Sequence, residues 1–290
     1  MAAEVVTMDN TVLTLIQVGS MVSTFAFILS RGLRTSAEDL QILASRPGLL
    51  LRSLLSIDIL VPLITLLIIN LVRPAQNVTV GMLLLAASPA AAMALKKIVH
   101  AGGESQYIVI LHVVLALLAI LTTPATLEFL QIATGRQLGV NIMAVAVLVG
   151  LTTLLPIITG MIISRAFPAI AARTLRPLEI LSDVVQILTV VVILASTYNL
   201  LLLLDLRSYL AIALVTMIAL AVGHLMAWGR PEEQTTLAIE SATRNTNLTL
   251  LIASAFVPLE KALPVIIPYI VTSAIICALY VRYRKSMTPA

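Results

Sequence analysis

The feature that most limits this chain is a series of apolar runs, each about as long as a bilayer is thick. A helix needs roughly 20 apolar residues to cross the hydrocarbon core, and only helices or closed barrels satisfy their backbone there. Nine runs qualify: about 11–30, 49–71, 78–98, 106–130, 139–164, 180–203, 208–229, 235–257 and 264–282. They are too long for barrel strands. The gaps carry turn or charge signals, such as Arg46-Pro47-Gly48, Arg73-Pro74, Gly102-Gly103, Gly135, Arg176-Pro177, Gly229-Arg230-Pro231 and the pair Pro258 and Pro264. A soluble chain is about a quarter charged. This one is 11% charged and 60% hydrophobic over 290 residues, which leaves no polar surface to cover a core. Disorder, a disulfide scaffold (Cys277 is the one cysteine) and a nucleic-acid module fall on the same ground. The expected fold is an all-α polytopic membrane protein of about nine transmembrane helices, with residues 1–290 forming a single membrane domain. The Arg-rich stretch 165–179 reads as a short amphipathic helix along the membrane surface.

Basic residues set the orientation. With the N-terminus outside, the inner loops hold Arg31, Arg34, Arg46, Arg52, Lys96, Lys97, Arg165, Arg173, Arg176, Arg230, Arg282, Arg284 and Lys285. The outer loops hold only Arg73, Arg136, Arg207 and Lys261, and Arg244 lies within a span. The positive-inside rule therefore places the C-terminus in the cytoplasm of a plasma (bacterial inner) membrane. The acidic start MAAEVVTMDN lacks the basic region of a signal peptide.

Two spans depart from featureless Leu, Ile, Val and Ala. The third contains Ser88-Pro89, then small residues, then Lys96-Lys97; the eighth carries Glu240, Ser241, Thr243, Arg244, Asn245 and Asn247 near mid-depth. Ionisable groups there cost on the order of 2.5–3.5 kcal/mol each on insertion scales and mark substrate or ion paths. The two spans are five apart in order and run in opposite directions. An inverted-repeat transporter fold with two interrupted crossing helices has this property. The first, partial repeat covers about 11–130 and the second about 139–282.

These residues resemble the bile acid:sodium symporter family. In that family one crossing helix carries Pro-Gly-Gly-Thr-x-Ser-Asn and the other Glu-x-x-x-Gln-Asn. The second stretch here reads Glu240-Ser-Ala-Thr-Arg244-Asn245, and the first starts at Pro89 but continues Ala-Ala-Ala-Met-Ala-Leu-Lys-Lys. Arg46-Pro47, Pro62, Gly103-Glu104 and Leu121-Thr-Thr-Pro124 hold register, and the similarity covers most of the chain without the family's usual first helix. The resemblance implies a secondary transporter of two inverted repeats. It also implies that the sodium-site side chains fall on Ile57, Ala94, Leu95, Ile108, His112 and Arg244, with Glu240 the one acidic ligand retained.

Those substitutions remove the oxygens that a hard cation needs, so sodium as a cofactor is doubtful and no other is implied. Arg244 puts a permanent positive charge where sodium would sit. Arg244, Lys96 or Lys97 can supply beside Glu240 the positive charge that sodium would otherwise bring. His112 is the proton-switch candidate, with a hydrogen bond to a neighbouring helix backbone as the plainer alternative. Asp58, after Ile57, is the other intramembrane acid, open to pairing with a lysine or Arg52. Asn247 and Thr249 are weaker candidates for the cavity wall. His224 and Asp183 are read as structural groups near helix ends, His100 as a loop residue and Cys277 as packing.

The expected function is alternating-access transport of a small organic anion across the bilayer, by proton coupling, exchange or facilitation. A sodium-coupled symporter with a rearranged ion site is the alternative, and a non-transporting sensor or structural subunit is the alternative of another class. No enzyme is expected: the chain has no His-Glu-x-x-His, no Gly-x-Ser-x-Gly and no metal-ligand cluster.

Overall fold

The apolar runs become helices whose ends coincide with residues suited to end them. In a computed structural model of the chain, residues 9–35, 46–89, 94–202, 204–257 and 262–287 are described. Among them are seven helices long and apolar enough to cross a membrane. These are α1 (Asn10–Arg34), α2 (Pro47–Val72), α5 (Ser105–Thr134), α6 (Ile142–Ala166), α7 (Pro168–Leu202), α8 (Leu206–Met226) and α11 (Leu263–Met287). Four shorter helices stand between them: α3 (Gln76–Ala86), α4 (Ala94–His100), α9 (Pro231–Ala242) and α10 (Thr246–Phe256). Side chains of Asp9, Asn141 and Asp205 cap α1, α6 and α8. Arg73 and Gly135 close α2 and α5 in the left-handed conformation. Large apolar side chains stay exposed along the long helices, Ile187 and Leu188 at 59% and 58% among them. Such a belt fits lipid rather than water.

The seven continuous helices coincide with seven of the nine expected runs, while the stretches expected to span at about 78–98 and 235–257 are each divided into two shorter helices, α3 with α4 and α9 with α10. One expectation is corrected. Residues 168–179 are not a separate surface helix before a span at 180; α7 runs unbroken through Pro177. α1 packs along this part of α7. Arg34 takes the Glu179 carboxylate through both Nε and Nη2, at 2.9 and 3.0 Å. Ser23 and Ser182 each donate a hydroxyl to the other's carbonyl, at 3.1 and 3.0 Å. As a result Asp183 lies mid-helix rather than near an end, and His100 closes α4 rather than sitting in a loop.

Three glycines let helices meet backbone to backbone. A Cβ on Gly32 would stand 2.3 Å from the Ile157 carbonyl oxygen, and one on Gly160 would stand 2.5 Å from that of Leu29, so α1 and α6 touch directly. Gly223 brings α8 equally close to the Leu237 carbonyl of α9.

Within α2, residues Leu55–Leu60 widen into a π-helical stretch just before Pro62. The Val61 N–H bonds to the Ser56 carbonyl, five residues back. The next bond of that pattern would run from residue 62 to Ile57, but proline has no N–H. The Ile57 carbonyl is thus left open by the sequence itself. Gly150–Leu154 before Pro156 repeats the construction in α6.

Candidate functional site

The two broken helices meet at their breaks. Pro89 keeps Ser88 out of the helical region, and α3 stops at Ala86. Residues 90–93, Ala-Ala-Ala-Met, lie outside the described residues. In the partner, Thr243 is extended at φ −113 and ψ 107, which separates α9 from α10. Asn245 then restarts the helix by accepting from Leu248 N–H at 3.0 Å, while its own N–H donates to the Ser88 carbonyl at 3.0 Å. The Tyr269 hydroxyl braces the gap, donating to the Ala242 carbonyl at 2.8 Å and accepting the Arg244 N–H. Ser56 and Ser241 add a hydroxyl pair at 2.8 Å.

Arg244 turns its side chain into this crossing and away from Glu240. The extended residue between them destroys the i, i+4 geometry, so the expected pairing of Glu240 with Arg244 is not made. Its guanidinium instead donates to three carbonyls: Nη1 to Ile57 at 2.9 Å, Nε to Leu85 at 3.2 Å, and Nη2 to Ala86. Leu85 and Ala86 belong to the C-terminal turn of α3, where carbonyls lack helical partners and the dipole favours a cation. Ile57 is the carbonyl that Pro62 left open. Arg244 is 5% exposed.

Glu240 finds its partner in His112, whose Nε2 lies 3.0 and 3.1 Å from the two carboxylate oxygens. Both side chains are almost wholly buried. Among the described residues the histidine makes no bond to a helix backbone, and its Nδ1 has no hydrogen-bond partner there. Around this pair, Ile57, Ala94 and Ile108 are fully buried in one hydrophobic cluster, with Leu95 packed against it. Positions where the resemblance places oxygen ligands are filled with hydrocarbon.

The remaining candidates divide. Asp58 is half-buried in the π stretch within electrostatic range of Arg244, while Arg52 bonds to the Gly48 carbonyl of its own helix instead. Lys97 borders a cavity of about 50 Å³ beside Thr243, Arg244, Asn245 and Thr246, together with Gln186 and Tyr269. The side chain of Lys96 lies outside the described residues. Asn247 donates to the Ser23 hydroxyl at 3.1 Å and so ties α10 to α1, and Thr249 bonds back to the Asn245 carbonyl. His224 pairs with the Tyr280 hydroxyl at 2.7 Å. Cys277 is buried beside Thr243.

Sequence reasoning missed Arg31, read there only as an inner-loop charge. It is 6% exposed, lies with its guanidinium carbon 4.6 Å from the centre of the Phe27 ring, and its Nε and Nη1 have no hydrogen-bond partner among the described residues. The same ring meets His112 edge to face at 6.0 Å. Nothing local in the sequence separates Arg31 from Arg34, which does have its partner.

Comparison with known families gives one finding. A model of the Sodium Bile acid symporter family matches residues 21–204. No curated protein matches the chain.

Proposed function

The chain belongs to the Sodium Bile acid symporter family, and from that premise we propose that it transports a small organic anion with Arg244 standing permanently where a sodium ion would bind. The observation that carries this reading is the set of three carbonyls around the guanidinium. Backbone oxygens of a helix C-terminus and an opened π turn suit a cation, and here a tethered one occupies them. The hydrocarbon at Ile57, Ala94 and Ile108 supports it further, because no side-chain oxygen is offered at those positions.

In this reading the chain crosses the membrane nine times, as seven continuous helices and two broken ones, in two inverted halves. The Arg34 end of α1 and the Met287 end of α11 face the cytoplasm, following the basic residues. Transport proceeds by alternating access. The driving ion is a proton carried on the His112–Glu240 pair, the buried acid–base couple nearest the crossing. A fixed charge at Arg244 cannot be released during a cycle, so it organises the crossing.

Thermal unfolding of the purified protein, with Na⁺ titrated against K⁺ or choline at constant ionic strength, tests the central point. A bound ion raises Tm in a saturating way. The expected result is no difference between the cations for the wild type, and a sodium-specific rise for Arg244→Gln, in which the carbonyls are vacated. A sodium-specific rise in the wild type overturns the reading. Glu240→Gln is expected to abolish pH-gradient-driven uptake into proteoliposomes while the protein still folds.

A further inference from the structure

Basic side chains at the Met287 end of α11 fall into two groups. Arg34 grips the Glu179 carboxylate, and Arg46 those of Glu104 and Glu233. Lys97, Arg282 and Lys285 instead converge on a cavity of about 420 Å³ between α4 and α11, and no acidic side chain among the described residues lines it. None of the three makes an ion pair with another described residue. Like charges gathered in this way repel one another, and an anion set among them reverses the sign of the interaction.

His100, the last residue of α4, adds a neutral donor. Lys285 Nζ lies 3.3 Å from His100 Nε2. An ammonium can only donate, so Nε2 accepts and the ring proton is carried on Nδ1. The ends of the two helices are thereby joined, with the charge of one and the N–H of the other beside the same space.

The deeper wall of the cavity is apolar: Ala274, Ala278 and Val281. With Arg282 and Lys285 they recur at the spacing of a single face of α11. Both alanines are exposed, and their small side chains leave a furrow beside the exposed Ile275 and Leu279. From Ala274 to Lys285 this face is about 16 Å long, close to the hydrocarbon depth of one leaflet, about 15 Å. It is apolar at the deep end and basic at the outer end. That is the polarity and the length of a phospholipid standing in its leaflet, whereas free phosphate uses the basic end alone.

Basic pockets between membrane helices hold anionic headgroups. We propose that this cavity binds an anionic phospholipid from the leaflet at the Met287 end of α11. Its phosphodiester lies on Lys97, His100, Arg282 and Lys285, and one acyl chain follows Ala274 and Ala278. A zwitterionic headgroup brings its own cation toward the same basic groups and is disfavoured. The site serves the folded protein in its bilayer, whatever the protein carries.

Native mass spectrometry of the full-length protein, extracted in detergent and offered equal amounts of phosphatidylglycerol and phosphatidylcholine, tests it. The wild type is expected to bind at least tenfold more phosphatidylglycerol. Each basic group near an anionic headgroup contributes about fivefold, so Arg282→Gln with Lys285→Gln is expected to erase the preference. Where that pair does not fold, Lys285→Gln alone serves and is expected to lose about fivefold. Arg165→Gln with Arg173→Gln removes the same charge from exposed positions at the same end and is expected to keep the preference. Ala278→Leu fills the furrow with every charge intact and is expected to weaken phosphatidylglycerol at least threefold. Equal binding of the two lipids by the wild type overturns the proposal, as does an equal loss in the two double variants, which marks general surface charge. Ala278→Leu that binds like the wild type overturns it too. So does a saturating rise in Tm with inorganic phosphate that matches the rise with phosphatidylglycerol, because the cavity is then a site for the free anion.

Discussion

Two arginines in this protein are equally buried, Arg244 at 5% exposed and Arg31 at 6%, and they are in opposite states. Around Arg244 the backbone has been arranged to receive a cation: a helix stops, another widens, and three carbonyls converge. Around Arg31 there is an aromatic face, an open cavity and two nitrogens with no hydrogen-bond partner among the described residues. Burial alone therefore says little about what a charged side chain does. The number of partners it has already found separates a group that completes the fold from one that awaits something else.

The contrast can be tested through stability, taking the largest effect first. Arg244→Gln orphans carbonyls that cost about 1–3 kcal/mol each, so a net loss of roughly 3 kcal/mol is expected in chemical or thermal unfolding. Little loss would mean that the carbonyls find other donors and that the arginine is not structural. Tyr269→Phe removes the hydroxyl that bonds Ala242 and the Arg244 N–H. A loss of about 1–3 kcal/mol is expected, with the sodium indifference of the wild type retained because the guanidinium stays in place. Phe27→Leu withdraws the ring beneath Arg31, and a cation–π contact of this kind is worth about 0.5–2 kcal/mol. A comparable loss is expected by the same measurement. Arg31→Gln loses the same cation–π contact but also removes two buried donors that have no partner among the described residues, so its stability is expected to lie within about 1 kcal/mol of the wild type. Losses of similar size in Arg31→Gln and Arg244→Gln would erase the distinction.

Much of this architecture was legible because a bilayer imposes a length on every apolar run. The run beginning near 180 was misplaced because Arg173, Arg176 and Pro177 look locally like a loop. The partners that keep α7 helical there, Ser23 and Arg34, lie about 150 residues earlier, at separations of 159 and 145. The crossing was legible from Ser88-Pro89 and from the polar stretch after Glu240, since both break rules for membrane helices. Which side chain answers Glu240 was not, because His112 lies 128 residues away and Arg244 only four. The acceptors of Arg244 were hidden for a different reason. Ile57 contributes its carbonyl, not its side chain, and that carbonyl is free only through the missing N–H of Pro62.

The glycine contacts carry a mechanical consequence. Where α1 meets α6 at Gly32 and Gly160, and α8 meets α9 at Gly223, main chain rests on main chain. Such a seam has no rotamers to exchange, so it keeps a single register and behaves as a weld. Between α1 and α10 the junction is of another kind, with one amide–hydroxyl bond from Asn247 to Ser23, and between α1 and α5 it includes the edge of the Phe27 ring against His112. Side chains can let go and re-form at modest cost. The stiff seams and the compliant ones are thus laid out separately, and the compliant set runs past the buried acid–base pair.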